Sequence, residues 1–416
     1  MTLQSEIRNP KSEIQSMDVV VVGGGVVGTA VTYYLAKCGV QVCLVEKGDI
    51  ASGTSSSCGH VVALQTKPAG SKLDLARESV TLFHGLQDEL ETDIEFDNAG
   101  GMVVAETEAE VDFVQAKVEK LQSLGVDVEF VDRDTARSRQ PALAGHICGA
   151  SFCCEDSTVN PMKLALGFAR AAKRLGAVIR TFTEVTGIER QGDRISAVLT
   201  QRGKIPTATV VNAAGIWSPA LADMAGLRLP IVPRKGELFV TERVPPVLRG
   251  VIISARYLMS KAPPDPAKGA GEMRAGVIAA PTRSGNLLLG STREFAGFDR
   301  RSTDRGIHEL LRQTSALIPA IGNIHVLRFY AGLRPSTPDG LPILGRSPEL
   351  PGFIIASGHE GDGIALSPIT GKTIAELVIG EIADEKLAHF SLSRFATEIR
   401  NPKPVLSPAE GSEIHE

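Results

Sequence analysis

The first clear pattern along the chain is an unbroken apolar run. Residues 18–22 read Asp-Val-Val-Val-Val. A β-branched run without polar alternation predicts a strand buried on both faces of a parallel sheet. It passes directly into Gly23-Gly24-Gly25-Val26-Val27-Gly28, then a helix over 29–38 that Gly39 can close. A second apolar run at 41–45 ends on Glu46. Helical spacing of apolar positions, with charge on the other face, recurs over 72–92, 106–124 and 160–175. Pro161 near the start of the last and Gly176 just past its end fit helix punctuation. Strands are expected at 178–182 and 195–200, and a further buried strand from 209 runs into a turn at Gly215. Residues 232–298 alternate apolar and polar between turn residues, the pattern of an antiparallel sheet. Within them, 263–276 is rich in Pro and Gly and reads as a loop. A last helix runs to about Ile379.

The first of these segments carries chemistry. Gly23 permits a tight turn, Gly25 lets backbone approach a pyrophosphate, and Gly28 lets the helix pack on the strand. An acid about 20 residues past the glycines, here Glu46, suits the two hydroxyls of a ribose and would repel a 2′-phosphate. A lone GxGxxG is weak evidence; strand, glycines, helix, strand and acid in order are strong. After Glu46 the chain enters a small, hydroxyl-rich loop, Ser52-Gly53-Thr54-Ser55-Ser56-Ser57-Cys58-Gly59. Such a loop can wrap a second phosphate and a ribityl chain, which favours FAD over NAD.

Composition changes the picture by exclusion. The 416 residues are enough for two domains, and a formal net charge of −4 excludes a generally basic nucleic-acid binder. The 42 glycines and 5% aromatics suit an α/β nucleotide-binding chain. Six cysteines lack disulfide-scaffold or metal spacing, so no metal is expected and the thiols fit a reducing cytoplasm. No secretory or transmembrane segment is expected. Glu6–Lys11 recurs as Glu398–Lys403, and residues 1–16 and 393–416 read as disordered tails around a folded part ending near 392.

At this point the chain resembles the D-amino-acid oxidase-like family of FAD-dependent amine oxidoreductases. The resemblance is carried by VVVVGGGVVG, SGTSSSCG, VVNAAGIWS, AGLRPSTPDGLPILG and GHEGDGI, in order across nearly all of 17–385. PRKGELFVTERVPPVL, ARYLMSK and GHEGDGIALSPITGK look like β subunits of heteromeric proline and hydroxyproline dehydrogenases, opine oxidases and hydrogen cyanide synthase. The resemblance implies an α/β fold: a Rossmann-like FAD-binding domain (17–90, 150–230, 326–392) and a discontinuous antiparallel-sheet substrate domain of α+β type (91–149, 231–325). It implies hydride transfer from the Cα of an amino acid to flavin N5, with electrons passed to a partner α subunit.

Cofactor contacts carried over are Gly23, Gly25, Val26, Val27, Gly28, Glu46, Lys47, Thr54, Ser55, Ser57, Gly59 and His60. Val185 (adenine), Ala214 and Gly215 (turn), and Gly358, His359, Glu360, Gly361, Asp362, Gly363 and Ile364 (over the pyrimidine) complete the set. Arg334 matches the family arginine for a substrate carboxylate, a role suited to its bidentate fork. Tyr257, Tyr330, His60 and Glu360 are candidates for the pocket. Ser56 stands where histidyl-linked members carry His, so FAD is expected to be non-covalent. Gly361-Asp362 replaces the Arg-Asn pair of glycine-oxidase-like members. An FMN at a subunit interface is a family expectation, with Arg234, Lys235, Arg256 and Lys261 as candidate phosphate ligands. A self-sufficient glycine, sarcosine or D-amino-acid oxidase, and a non-catalytic flavin-bearing subunit, stay open as alternatives.

Overall fold

The computed structural model describes residues 16–261 and 272–397. The apolar runs become a six-stranded sheet in the order Ile343–Arg346, Phe353–Ser357, Thr209–Asn212, Val19–Val22, Val42–Val45, Val178–Arg180. Its neighbours run parallel except for the edge strand Ile343–Arg346. Val19–Val22 is buried throughout because both faces are covered. Helix Val26–Lys37 lies on one face between helices Pro161–Arg174 and Gly363–Ile379. Gly371 sets the closest approach, since a Cβ there would lie 2.7 Å from the backbone of Ala30. The other face packs on the three-stranded sheet Val185–Gln191, Arg194–Thr200, Gly203–Pro206 through Val20, Val198 and Ile205.

The alternating region enters an eight-stranded sheet. Its order is Val326–Ser336, Val232–Arg243, Asn286–Arg293, Arg274–Pro281, Val251–Ser254, Gly101–Ala105, Gly149–Cys153, Val128–Asp132. All pairs are antiparallel except Val251–Ser254 with Gly101–Ala105. Strand Val326–Ser336, expected with the nucleotide-binding part, therefore belongs to this sheet, paired along Val232–Ser336 and Arg234–Arg334. Helix Asp304–Leu317 covers the face holding Phe239, Leu287 and Leu289.

Three expectations change at their edges. Helix Val26–Lys37 begins before 29, directly at the glycine turn with Gly25 as N-cap. The Pro/Gly-rich stretch gives way to strand at Arg274; residues 262–271 lie outside the described set. The fold also continues past 392: Phe395 is buried and Arg394 pairs with Asp339 at 2.7 Å, so an apolar anchor and an ion pair hold this end down. Both copies of the repeated Glu-Ile-Arg-Asn-Pro-Lys segment lie outside the described residues.

Candidate active site

The glycine turn forms part of the wall of a cavity of about 610 Å³. Gly23 has φ +114°, and a Cβ there would meet the Ala213 carbonyl oxygen at 2.5 Å. At Gly28 a Cβ would lie 1.9 Å from the Gly23 carbonyl oxygen, so strand, turn and helix meet only because both positions are glycine. Gly25 instead opens onto the cavity; the nearest atom to an added Cβ is Ser55 Oγ at 3.3 Å. That hydroxyl accepts from the Val26 N–H at 3.0 Å, tying the hydroxyl-rich loop to the helix N-terminus. Glu46 is held by the backbone around it: Oε2 accepts from Gly24 N–H at 2.6 Å and Oε1 from Gly48 N–H at 2.7 Å. Its remaining lone pairs are free for ribose hydroxyls on the cavity wall. Lys47 and Val185 line the cavity as well. Lys47 Nζ sits 3.8 Å from the centroid of Trp217, a residue without a role in the sequence reading.

Val26, Val27, Thr54, Ser55, Ser57, Gly59, Ala214 and Gly215 complete much of the wall. Gly28 and Gly358 are outside it and act on backbone shape; Gly358 has φ +80° and turns the chain so that residues 359–364 reach the cavity. His359 is buried, its Nε2 3.1 Å from Thr370 Oγ1. Burial pushes it down to about 3. Helix Gly363–Ile379 aims its N-terminus at the cavity through Gly363 and Ile364.

A charged cluster lines another part of the cavity. Arg334 lines the cavity, and its Nη1 donates to the carbonyls of Lys235 (3.3 Å) and Thr292 (3.2 Å) and its Nη2 to Ser291 Oγ (2.6 Å). Gly236 makes room for it, since a Cβ there would lie 2.1 Å from Nη1. Among the described residues no carboxylate lies within ion-pair distance of Arg334. Tyr257 and Glu360 also line the cavity, and the buried Arg293, which sequence reasoning missed, ties the two together. Arg293 is 1% exposed; it donates to Tyr257 Oη at 3.0 Å and to Glu360 Oε1 at 2.5 Å. Burial alone would raise the Glu360 carboxyl, but Arg293 and Arg334 outweigh it and hold it at about 2. Burial would also raise the Tyr257 hydroxyl; Arg293, Lys261 and Arg334 leave it lowered instead. Gly276 seats Tyr257 here, because any Cβ at 276 would meet the Tyr257 Cα at 2.4 Å.

Tyr330 and His60 are not in this cluster. They line a second cavity of about 1160 Å³. Tyr330 and Arg334 share one face of a strand, yet the loop Ser55–Cys58 crosses that face between them: a Cβ on Gly332 would lie 1.9 Å from the Ser57 carbonyl oxygen. The loop is the common wall of both cavities. His60 Nε2 lies 3.2 Å from the Pro281 carbonyl oxygen, its Nδ1 has no partner, and burial pushes it down to about 4.

The four basic residues assigned to a second flavin do not converge. Arg234 and Lys235 are neighbours on a strand and point to opposite faces, Arg234 to Glu360 (3.5 Å) and Lys235 to Glu237 (3.3 Å). Arg256 is exposed beside Glu110, and Lys261 faces Asp362.

A family model described as FAD dependent oxidoreductase (DAO) matches residues 18–377. The chain belongs to the DAO family of FAD-dependent oxidoreductases. Members similar to it include the glycine oxidase of Geobacillus kaustophilus, 33% identical over 91% of this chain and 97% of that protein. The hydrogen cyanide synthase subunit HcnC of Pseudomonas aeruginosa is 30% identical over 92% of this chain and 97% of its own length. The crystal structure of L-proline dehydrogenase from P. horikoshii superposes with a TM-score of 0.83 at 27% identity, covering 92% of this chain and 99% of that one. The chain is accordingly an FAD-dependent oxidoreductase, and its cavity fits the cofactor: glycines bare the backbone where a pyrophosphate would lie, with Glu46 at the ribose position. Among the described residues no helix is long and apolar enough to cross a membrane.

Proposed function

We propose that this chain oxidises an amino acid or derivative of the proline, hydroxyproline or opine kind at its Cα–N bond and passes the electrons to a partner subunit. The observation that carries the reading is Arg334, a cavity-lining guanidinium whose charge no described carboxylate matches. When bound, FAD supplies the acceptor for a hydride. The protein's residues supply the rest. Arg334 takes the substrate carboxylate and so fixes where Cα lies; reactive geometry of this kind needs about 3–3.5 Å between reacting atoms. Arg293 holds Tyr257 and Glu360 in place, keeping Glu360 ionised beside the amine. The nitrogen lone pair forms the imine double bond as the Cα–H leaves with its electrons. The N-terminus of helix Gly363–Ile379 favours negative charge on the flavin pyrimidine. Ser56, standing where covalently linked members carry His, supports non-covalent FAD; its Oγ donates to the Gly53 carbonyl at 3.1 Å.

Transfer to a partner is supported by the likeness to HcnC, itself a subunit, and by the second cavity behind the Ser55–Cys58 wall. A self-sufficient glycine oxidase is the second reading, favoured by the 33% identity to the Geobacillus enzyme.

The test is anaerobic titration of the FAD-loaded chain with proline, hydroxyproline, sarcosine, glycine and an N-carboxyalkyl amino acid, following the flavin absorbance. Bleaching by one of them with slow peroxide formation in air is the expected outcome. Fast peroxide formation selects the oxidase reading, and a flavin untouched by the whole panel rejects the proline, hydroxyproline and opine class for the isolated chain.

A further inference from the structure

The loop over the cavity carries two carboxylates, and each is outnumbered by cations. Glu360 meets Arg293 and Arg234, with Arg334 close enough to act on its charge. Asp362 meets three lysines: Lys67 at 2.8 Å, Lys72 at 2.6 Å and Lys261 at 3.6 Å. Lys67 and Lys72 take one oxygen each at short range and are almost wholly buried, at 2% and 8% exposure. Lys261 is left with long contacts only, to Asp362 Oδ1, to the Thr66 carbonyl at 3.4 Å and to the Tyr257 ring at 5.8 Å. Its side chain is 22% exposed and lines the same cavity as Arg334. Burying cations in excess of anions is unfavourable unless a further anion joins them.

Two under-matched cations thus face one reaction space. Arg334 keeps its Nε–H without a hydrogen-bond partner, and Lys261 has ammonium protons without a short acceptor. Lys261 Nζ lies 5.8 Å from the centroid of the Tyr257 ring, and Tyr257, Lys261 and Arg334 all line this one cavity. An amino acid with one carboxylate brings a single anionic group to these two cations.

We propose that the substrate is an amine carrying two carboxylates, the first held by Arg334 and the second by Lys261 with Lys67 behind it. This rests on the amine-oxidation reading and narrows it to iminodiacid-like or dicarboxylic amino acids over glycine or proline. Asp362 acts as a positioning residue that gathers the lysines while leaving Lys261 free to pair.

The experiment uses the FAD-loaded full chain and reads binding by the shift of the visible flavin band, without turnover. Malonate, succinate and glutarate are titrated against acetate and propionate. At least one dicarboxylate is expected to bind roughly tenfold or more tightly than the monocarboxylates. Lys261→Met should abolish that preference with acetate affinity unchanged, and Lys261→Arg should keep it. Equal affinities in the unaltered chain overturn the proposal, even when glycine or proline bleaches the flavin and amine oxidation stands. A preference that survives in Lys261→Met also overturns it. So does a Lys261→Met variant whose flavin potential shifts while the preference remains, since Lys261 would then serve the cofactor. Conversely, a lysine-dependent preference in a chain that no amine reduces, iminodiacetate and glutamate included, keeps the dianion site and rejects the amine chemistry.

Discussion

At one end of the cavity, Gly23, Gly25 and Glu46 come from a single continuous stretch; at the other, Lys67, Tyr257, Arg334 and Asp362 come from separate segments across the chain. The first end is held by backbone fit. Gly23 and Gly28 are packed against carbonyls, and Glu46 is fixed by one amide of the glycine turn and one of its own turn. The second end is held by charge. Arg293 meets Glu360, and Lys67 and Lys72 meet Asp362, only because separate regions of the fold bring them together. A steric site fails by clash and a charge-balanced site by an unmatched ion, so the two ends should respond differently to substitution, pH and salt.

The largest effect is expected from Gly28→Val. The added carbons would strike the Gly23 carbonyl, which is backbone and cannot swing away. The purified variant should carry no flavin and lose at least ~3 kcal/mol of stability in thermal unfolding. Retention of bound FAD would break the steric account of this end.

Next comes Arg293→Met at the charged end. It leaves Glu360 buried without its main partner, a change worth about 3–5 kcal/mol in urea unfolding. Adding Glu360→Gln to it should restore part of that loss, and a pair of independent, additive effects would count against the network.

The pH response follows in size. His60 and His359 are held at about 4 and about 3, below the usual histidine value near 6.5, and Glu360 at about 2, below 4.5. Each binds its proton more readily when unfolded. Stability is therefore fully present above about 6.5 and falls as pH drops, through the histidines first and Glu360 between about 4.5 and 2. His60→Gln should remove on the order of 3 kcal/mol of the decline between pH 6.5 and 4. Unfolding midpoints that do not depend on pH in this window would exclude a neutral, buried His60.

Arg334→Ala should lower the second-order rate of flavin reduction about 10²-fold, the worth of a charge-assisted carboxylate contact. Its unfolding midpoint should move far less than that of Arg293→Met, because among the described residues Arg334 has no ion-pair partner to strand. The smallest effect is expected at Arg256, exposed beside Glu110 at 3.6 Å. Arg256→Ala should change stability by no more than ~0.5 kcal/mol and leave flavin content unchanged.

Much of the nucleotide end was legible because its determinants are local. A β-branched strand, glycines at fixed spacing and an acid on the next strand end fall within one stretch, and each has a backbone reason to be where it is. The alternating pattern after 232 likewise announced an antiparallel sheet. Pairing was less legible. Strand Val326–Ser336 joined the large sheet because its partner is Val232–Arg243, and register across that distance is written in neither segment alone. Tyr330 and Arg334 looked equivalent along the strand; a loop lying on Gly332 separated them into two cavities. Arg234 and Lys235 looked like one basic pair, and strand alternation sent them to different carboxylates.

By itself, then, the sequence determined that this chain carries a dinucleotide-binding unit and that its cofactor is FAD. Those properties rest on steric permission and short-range spacing, which survive being read in one dimension. Only the tertiary structure decided that Arg293 ties Tyr257 to Glu360, that three lysines share Asp362, and that Lys261 faces the same space as Arg334. Charge balance in a buried site depends on distances between groups far apart in the chain, and those distances exist only once the sheets have paired.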